Sequence, residues 1–372
     1  MRLYFTRRNF LSTGAGALLT ATELRGQSEA IPVAGVPVQE YKPRSIVALT
    51  SGDTRRKNVY DALVAIDDQI LPKLKTKKRV LIKPNNVVVV NQLACTHADA
   101  LRGILDYLEP RFKGPITIAE SAAGDTWTGF HNFKYPEMIK EYKRDIDLVD
   151  LNQEGKFVNQ ALLDQDAHVV PVRLAARAFD PDAFVISTAP LKTHNYVVAT
   201  LSVKNMVLGA PLHTAPGATE RFNHKASYHA GFHLVHYNML VTAQAMQPYW
   251  GVAVLDGYEG MEGNGPASGT PVPSRLAIAS TDFIAADRVG VECMEIDPTW
   301  VGYLQYCGQV GLGNYNPAKI DIRGPQISAV QKKYRLNSTV DQQLQWMTPL
   351  DVEDGSWIGP RGRRTDGRPN VR

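Results

Sequence analysis

Short apolar runs that end in polar, charged or glycine residues recur along the chain. Each run is typical of a buried strand whose carboxyl end carries side chains that the core does not use. Ligands of open α/β sheets bind in the crevice beyond the carboxyl ends of the strands. The pattern therefore predicts a binding site along one edge of a sheet. The runs and the residues that follow them are 79–82 with Lys83, Asn85 and Asn86, 116–119 with Glu120, 184–186 with Lys192 and His194, 252–255 with Asp256, and 276–279 with Asp282.

Helical periodicity alternates with these strands along most of the chain. The alternation predicts an α/β fold, in which a mostly parallel or mixed sheet is covered by helices, as a single large domain over residues 45–325. Three prolines in residues 31–44 indicate a linker before the domain, and residues 326–372 predict a C-terminal helix followed by a flexible basic tail. The predicted helices are 57–71, 98–108, 284–294 and 327–347, the last of them interrupted near Asn337, and the further strands are 46–49, 146–149, 168–174, 183–187 and 319–322.

The N-terminus has the form of a twin-arginine export signal. Arg7 and Arg8 precede a mildly apolar stretch, residues 11–22. About a dozen such residues are too few for a stable membrane span, which needs roughly 20. We predict that residues 1–30 are a removable signal peptide, that the twin-arginine export machinery is a partner, and that the processed protein is periplasmic or exported, with no stable membrane span. The alternative is a basic amphipathic N-terminus.

Most of the formal charge of +4 lies at the two ends of the chain. Residues 1–30 carry +2 and residues 355–372 carry +4, which leaves −2 on residues 31–354. A central region so close to neutral lacks the general charge signature of a nucleic-acid binder. We therefore predict no nucleic-acid partner.

Three cysteines, Cys95, Cys293 and Cys307, are widely spaced and form no C-x-x-C pair. The spacing argues against an iron-sulfur cluster held by this chain alone and against a cysteine-rich zinc site. A disulfide between Cys293 and Cys307 and free, buried thiols are both compatible with the sequence, and we favour free thiols.

Lysine and histidine follow one strand closely. Lys192 and His194 place an ammonium and an imidazole on a single turn, and Lys204 with Asn205 follows inside an otherwise apolar stretch. A charged side chain in apolar surroundings must find a partner or shift its pKa. We predict that Lys192, His194 and Lys204 are catalytic, through proton transfer or a covalent bond. The alternative is that the lysine stems are buried while their ammonium groups reach solvent.

Histidines are concentrated between residues 224 and 236. If this stretch is helical, His229 and His233 share a face, a spacing that suits a transition metal or an acid–base pair. With two strand-end carboxylates, the sequence predicts a divalent metal site formed by Glu120, His229 and Asp256. The alternative is a solvated helix face.

A glycine-rich segment, residues 256–266, follows one of the strands and includes Asn264. It is not a Walker loop, because no Gly-Lys-Ser/Thr follows, and it is not a G-x-G-x-x-G fingerprint that opens a helix. Such a segment lets a ligand approach the backbone closely, and we predict that Asn264 contacts the substrate. The alternative is a loop held by its own turns.

These motifs, taken in order, resemble the uncharacterised domain of unknown function 362 family over roughly residues 45–312. The resemblance implies a single α/β domain but no settled reaction. Many members carry ferredoxin-type cluster modules, whereas this chain lacks the corresponding cysteines. The motifs that carry the resemblance are Ile82-Lys83-Pro84-Asn85, Ala119-Glu120-Ser121, Pro190-Leu191-Lys192-Thr193-His194, Leu201-Ser202-Val203-Lys204-Asn205, Asp256-Gly257 with 261–266, and Thr281-Asp282 with Asp287.

The sequence as a whole predicts an exported enzyme that binds a small anionic molecule, with possible help from a divalent metal. Lys83, Asn85, Asn86, Asn205 and Asn264 are the predicted substrate-binding residues, of which Asn205 together with Lys204 stabilises developing negative charge. The alternative is a non-catalytic module that binds a solute or serves a separate redox protein. The cofactor, substrate and reaction are unknown at this stage.

Overall fold

The computed structural model describes residues 43–215 and 217–348. The predicted signal peptide, nearly all of the predicted linker and the basic tail lie outside the described residues. The strands are β1 Ser45–Ser51, β2 Arg79–Lys83, β3 Ile116–Glu120, β4 Ile146–Asp150, β5 Phe157–Leu163, β6 Val169–Ala175, β7 Ala183–Thr193, β8 Ala199–Thr200, β9 Trp250–Glu262, β10 Thr270–Val272, β11 Leu276–Ser280 and β12 Ile320–Arg323. The helices are α1 Arg55–Ala65, α2 Asp67–Leu74, α3 Ala98–Leu108, α4 Thr126–Asn132, α5 Tyr135–Ile139, α6 Leu151–Glu154, α7 Ser202–Val207, α8 Phe232–Met246, α9 Phe283–Cys293, α10 Gly302–Gln309, α11 Ile327–Val330 and α12 Val340–Gln343.

Ten of the strands form one mixed sheet, whose main path runs β12-β1-β11-β9-β7-β2-β3-β4. The five strands β9, β7, β2, β3 and β4 are parallel to one another, whereas β11 is antiparallel to both β9 and β1. After β2 the chain builds outward to β3 and β4, and it then returns to place β7 on the other side of β2. The boundary between β2 and β7 is thus a topological switch point, where open α/β sheets bind their ligands. The predicted fold class is confirmed.

Helices cover both faces of the sheet. On one face, α1, α2 and α3 contribute buried residues such as Leu63, Ile70 and Leu101 to the same apolar cluster. On the other face, α7, α8 and α9 bury Met206, Met239 and others against the sheet. Central strands covered on both faces read as continuous apolar runs, which explains the unbroken hydrophobicity of the predicted strands. Among the described residues, no helix has the combination of length and apolar character that a membrane crossing requires.

Two central strands are longer than their apolar runs predict. β7 continues past Pro190 to Thr193, and β9 continues past Asp256 to Glu262. A register shift between Pro190 and Lys192, where β7 pairs with β9, accommodates the proline within the sheet. Asp256 therefore lies in the middle of β9, and Lys192 is the next-to-last residue of β7. This correction changes the chemistry that each of the two residues can perform.

The C-terminal helix predicted over residues 327–347, with an interruption near Asn337, is much shorter in the structure. The structure has the short helices α11 and α12, joined by a segment without regular secondary structure. In that segment, the backbone N–H groups of Lys332 and Tyr334 donate to the carbonyls of Cys293 and Met294 at 2.9 and 3.0 Å. These bonds hold the chain along the end of α9, and a continuous helix cannot make them.

Candidate functional site

A cavity of about 300 Å³ opens at the switch point of the sheet, beyond the carboxyl ends of β2, β3 and β7. Lys83 ends β2, Glu120 ends β3, and His194 follows the last residue of β7. Helix α7 and the loop before α8 complete the walls. The cavity brings together seven of the residues predicted from the sequence: Lys83, Asn85, Asn86, Glu120, His194, Lys204 and His229.

One side of the cavity is a buried ion pair with saturated hydrogen bonds. The Lys83 ammonium lies 2.5 Å from the Glu120 carboxylate and also donates to the carbonyl of Pro84 at 2.7 Å. The two oxygens of Glu120 further accept the backbone N–H groups of Ser121 at 2.8 Å and Asn86 at 2.7 Å. Burial lowers the pKa of Lys83, and the Glu120 charge opposes that shift. Glu120 is thus committed to protein partners.

Asn205 ties this ion pair to the neighbouring strands. Its Nδ2 donates to the Lys83 carbonyl at 2.9 Å and to the Ser187 hydroxyl at 3.0 Å, and its Oδ1 accepts from Asn85 at 3.1 Å. Asn205 is fully buried, so it braces the site and is not free to bind substrate. We call the residues Lys83, Asn85, Asn86, Glu120 and Asn205 the paired floor.

Two amide atoms of the paired floor have no hydrogen-bond partner in the described part of the chain. They are Oδ1 of Asn85 and Nδ2 of Asn86, both buried in residues that line the cavity. A buried polar atom without a partner is costly, and a ligand that pairs with it recovers that cost. Asn85 and Asn86 thus supply one acceptor and one donor that the described residues leave unsatisfied.

Gly209 lets the floor pack closely. A Cβ at this position would lie 2.1 Å from the Asn205 carbonyl oxygen and 2.7 Å from the Lys83 ammonium. Both distances are below van der Waals contact, and one of the two atoms belongs to the backbone. The sequence therefore needs glycine here to keep Lys83 and α7 at their observed separation.

The cavity lining also includes two lysines and two histidines that form no ion pair within the described residues. We call Lys204, Lys225, His194 and His229 the cationic wall. Lys204 is 4% exposed and lines the cavity, yet its ammonium has no hydrogen-bond or ion-pair partner within residues 43–215 and 217–348. Burial, with smaller contributions from Lys192, Lys225 and Lys83, holds its pKa well below the ordinary value. The wall thus contains a buried amine with unused hydrogen-bonding capacity.

Lys225 reaches the same cavity from the loop before α8. Its ammonium donates to the Ser121 hydroxyl at 3.0 Å and to the Leu208 carbonyl at 3.3 Å, which leaves one of its three protons without a partner in the described structure. Burial lowers the pKa of Lys225 to about 7. Lys225 and Ser121 were absent from the sequence-based set, although Lys225 directly follows His224 in the histidine-rich stretch and Ser121 belongs to a family motif.

His194 presents a neutral imidazole with a fixed tautomer. Its Nδ1 accepts the backbone N–H groups of Tyr196 at 3.0 Å and Val197 at 3.3 Å, so the ring proton resides on Nε2. Burial and nearby Lys204 hold the pKa of His194 well below its ordinary value. With Nδ1 occupied as an acceptor, His194 can donate a hydrogen bond to a ligand but cannot readily serve as a general base.

The histidine face predicted around residues 229–236 does not form. Helix α8 begins at Phe232 and is preceded by Gly231 at φ 92°, a left-handed conformation that separates His229 from the helix. His233 bonds to the Thr348 carbonyl at 2.9 Å, and His236 is buried and accepts from Tyr303. His229, in contrast, is exposed at the cavity mouth and packs against Tyr196.

The predicted metal site also does not assemble. Glu120 pairs with Lys83, and Asp256 lies inside β9, where it forms an ion pair with Arg55 at 3.1 Å and accepts the Tyr258 N–H. Neither Asp256 nor Glu120 belongs to a metal-compatible group in the described residues. The one such group found there is Asp164, Asp166 and His168, on the turn between β5 and β6. Glu120, His229 and Asp256 are thus too dispersed to hold one ion.

Two other predicted residues also lie outside the cavity lining. Lys192 is fully buried in β7, where its ammonium donates to the Ala94 carbonyl, and burial lowers its pKa to about 8. Asn264 is exposed and accepts from Ser338 at 3.4 Å, although its neighbours Pro266 and Ala267 do line the cavity. The placement of Lys192 beneath the site favours a structural role for this lysine.

Asp287 positions the helix that carries Lys204. Both of its carboxylate oxygens accept backbone N–H groups at the start of α7, from Ser202 at 2.8 Å and Val203 at 2.9 Å. Asp287 is fully buried, and burial raises its pKa while the two hydrogen bonds oppose the shift. In the sequence it was visible as part of a family motif, but nothing there indicated that it caps another helix.

All three cysteines are free and buried, as favoured from the sequence. The Cys95 thiol donates to the Val88 carbonyl at 3.0 Å, and burial raises its pKa to about 11. Cys293 and Cys307 are not joined by a disulfide.

The fold and site together define an α/β protein with a polar cavity at the switch point of its sheet. The chain belongs to the family described as Domain of unknown function (DUF362), whose model matches residues 80–292. That span contains both the paired floor and the cationic wall. The expected family membership is confirmed.

Two individual proteins are similar to this chain. A thylakoid-associated protein of Synechocystis sp. is 27% identical over 258 residues, which cover 68% of this chain and 73% of that protein. The crystal structure of a protein from Thermotoga maritima aligns with a TM-score of 0.42 and 9% identity, over 65% of this chain and 60% of that one. The chain thus spans less than two thirds of the Thermotoga protein.

Proposed function

We propose that this protein is an exported enzyme whose substrate is a small anion held between the cationic wall and the paired floor. The observation that carries the proposal is Lys204, a buried ammonium that lines the cavity without any partner in the described residues. A buried charge is stable only when it is paired or neutralised. Glu120, the carboxylate that lines the cavity, is already paired with Lys83. A carboxylate or phosphate group of a ligand supplies the missing charge.

The proposed binding mode uses groups of both sides. Lys225 contacts the anionic group through the proton that the protein leaves unused, and Lys204, whose amine has no partner in the described residues, contacts the same substrate. The Nε2–H of His194 donates to an oxygen of the substrate, and it stabilises negative charge that develops there. The Nδ2 of Asn86 is a further donor. Proton transfer falls to the lysines, because the Nδ1 of His194 is occupied by backbone N–H groups.

Calorimetry with inorganic phosphate and with a panel of small carboxylates tests anion binding. Replacement of Lys204 by methionine removes the unpartnered charge, and we expect a loss of affinity of roughly 10- to 100-fold, as for one charge-assisted hydrogen bond. The matched control is Lys57→Met, since Lys57 is an exposed lysine paired with Asp61 on α1. Equal affinity in the Lys204 variant and in the unaltered protein would contradict the proposal.

Recovery of the bound molecule separates an enzyme from a receptor. Mass spectrometry of ligands that copurify with the protein identifies the anion, and incubation with that anion shows whether it is transformed. We expect turnover that the Lys204→Met substitution abolishes. A ligand that is always recovered unchanged would support a solute-binding module in place of an enzyme.

Export rests on the sequence motif and has its own test. Residues 1–30 are fused to a reporter that is active only after twin-arginine export, and Arg7 and Arg8 are both replaced by lysine. We expect export of the parent fusion and a loss of at least about tenfold in the double variant. Arg25→Lys, in the same segment but outside the motif, is the control. Equal export of both variants would argue for the basic amphipathic alternative.

A further inference from the structure

Two lysines line the same cavity, Lys204 and Lys225, and neither of them is paired with a carboxylate in the described residues. Lys204 has no partner in the described chain, and Lys225 bonds to a hydroxyl and a carbonyl, which are neutral acceptors. Two ammonium groups confined in this way repel each other and lose hydration, so the empty site favours one of them as a neutral amine. A neutral amine next to a second cation is the arrangement by which proteins activate lysine as a nucleophile.

Lys204 is the better placed of the two to be the neutral amine. It is buried on α7, a short helix that Asp287 and the surrounding apolar residues hold in place. Lys225, by comparison, lies on a loop and keeps two acceptors for an ammonium. Because Gly209 and the paired floor pack against the same helix, the amine of Lys204 is held in a fixed position facing about 300 Å³ of space.

We propose that Lys204 forms an imine with a small carbonyl compound that carries a carboxylate or phosphate group, with Lys225 as the proton donor to the carbonyl oxygen. This inference rests on the proposed function, because it names the substrate class of the same site. The anionic group explains the cationic wall, and the carbonyl group explains why one amine of that wall has no partner.

The step balances without any further reactant. The amine nitrogen of Lys204 attacks the carbonyl carbon, the C=O π bond breaks, and the oxygen takes a proton from the Lys225 ammonium. The nitrogen, now positively charged, returns one proton to Lys225 and becomes a carbinolamine. The C–O bond then breaks as the oxygen takes a second proton from Lys225 and leaves as water. The product is a protonated imine on Lys204 with Lys225 as a neutral amine.

His194 and Asn86 have roles that fit this sequence. The Nε2–H of His194 donates to the substrate oxygen while negative charge develops there, and it keeps its own proton. The free Nδ2 of Asn86 donates to the anionic group of the substrate. Neither residue needs to change its protonation state, which agrees with the fixed tautomer of His194.

Reductive trapping of the full-length protein tests the inference. The probes are pyruvate and glyoxylate with sodium cyanoborohydride, which reduces the imine to a stable secondary amine that peptide mass spectrometry locates. We expect Lys204 to be modified at least about tenfold faster than exposed Lys57 of the same molecules. Phosphate should slow modification of Lys204 and leave that of Lys57 unchanged. Modification of Lys204 at the rate of Lys57, or more slowly, would overturn the proposal.

Two variants strengthen the test. Lys225→Met should slow the trapping of Lys204 by about tenfold or more, the usual contribution of a general acid, while Lys57→Met should not change it. Denaturant unfolding confirms that both variants fold. If calorimetry shows anion binding that depends on Lys204 but no preferential trapping, the imine fails and the proposed anion site stands. If neither is observed, both fail.

Discussion

The two sides of the cavity differ in how their charges are satisfied. On the paired floor, Lys83 and Glu120 neutralise each other and share further hydrogen bonds with the backbone. On the cationic wall, Lys204 has no partner in the described residues and Lys225 has neutral ones. Removal of one member of a buried ion pair strongly destabilises a protein, because the other charge stays buried without a partner. Removal of a buried charge that has no partner instead relieves the desolvation cost of that charge. The floor therefore maintains the structure, whereas the unpaired lysine of the wall is the group that the proposed anion would neutralise.

The largest difference between the two sides is expected in the effect of a Glu120 substitution on stability. Glu120→Gln leaves the Lys83 ammonium buried without its counter-charge, and we expect a loss of about 3–5 kcal/mol in the free energy of unfolding. Lys204→Met, on the wall, should leave stability unchanged or raise it, because no partner loses a bond. Asp61→Asn breaks the exposed pair with Lys57 and should cost less than about 1 kcal/mol. Urea unfolding of the three variants ranks them, and a Glu120→Gln loss no larger than that of Asp61→Asn would contradict the assignment.

Gly209 tests how closely the floor must pack. The added methyl group of Gly209→Ala meets the Asn205 carbonyl oxygen and the Lys83 ammonium, so α7 or the ion pair must shift. We expect a loss of about 1–3 kcal/mol in unfolding free energy together with weaker phosphate binding, as for overpacked cores. Gly124→Ala is the control, because its nearest contacts are 3.4 and 3.6 Å. Equal effects of the two substitutions would show that the close approach at Gly209 is unimportant.

Asp287 affects the cationic wall indirectly, because it holds the start of α7, the helix that carries Lys204. Asp287→Asn keeps the side-chain shape but leaves one of the two N–H groups at the start of α7 without an acceptor. We expect a cost of about 1–2 kcal/mol and a shift in the apparent dissociation constant for phosphate, since α7 carries Lys204. Asp297→Asn, at an exposed turn, is the control. Unaltered phosphate affinity despite the loss of stability would separate Asp287 from the site.

The pH dependence of stability tests a single group of the wall, Lys225. The pKa of Lys225 is about 7 in the folded protein and 10.5 in the reference state, so the unfolded chain binds more protons between these values. Stability should therefore rise with pH from about 7 to 10.5, with a slope of at most about 1.4 kcal/mol per pH unit from this one group. Lys225→Met should flatten the rise, as should saturating phosphate. A slope that neither change affects would place its origin elsewhere, for example in Lys192.

The sequence predicted the elements of the sheet well because its central strands are covered on both faces. Lys83 and Glu120 follow their apolar runs directly, and both lie at strand ends in the structure. The prediction failed where pairing extends a strand past its apolar run, as at Asp256, and where a bulge admits a proline, as at Lys192. Strand length beyond an apolar run depends on partners that are distant in sequence.

The site was predicted in part for a similar reason. Lys204 stood out because it interrupts an apolar stretch, and its burial confirms that reasoning. Lys225 was missed because its loop has no regular pattern, and only tertiary structure brings it to Ser121. The histidine spacing misled because Gly231 ends the periodicity between His229 and His233. Helical spacing of charged or polar residues is therefore a weak basis for predicting a shared face when a glycine lies between them.

Gln343, near the end of the described residues, has a practical consequence for the design of shortened proteins. Its side chain accepts the Val198 N–H at 2.7 Å and donates to the His194 carbonyl at 2.9 Å, on the turn that follows β7. A protein cut at residue 325, the boundary that the sequence alone predicts, loses both bonds and with them this support of the turn from His194 to Val198. Expression work and crystallisation trials should therefore keep at least residues 43–348.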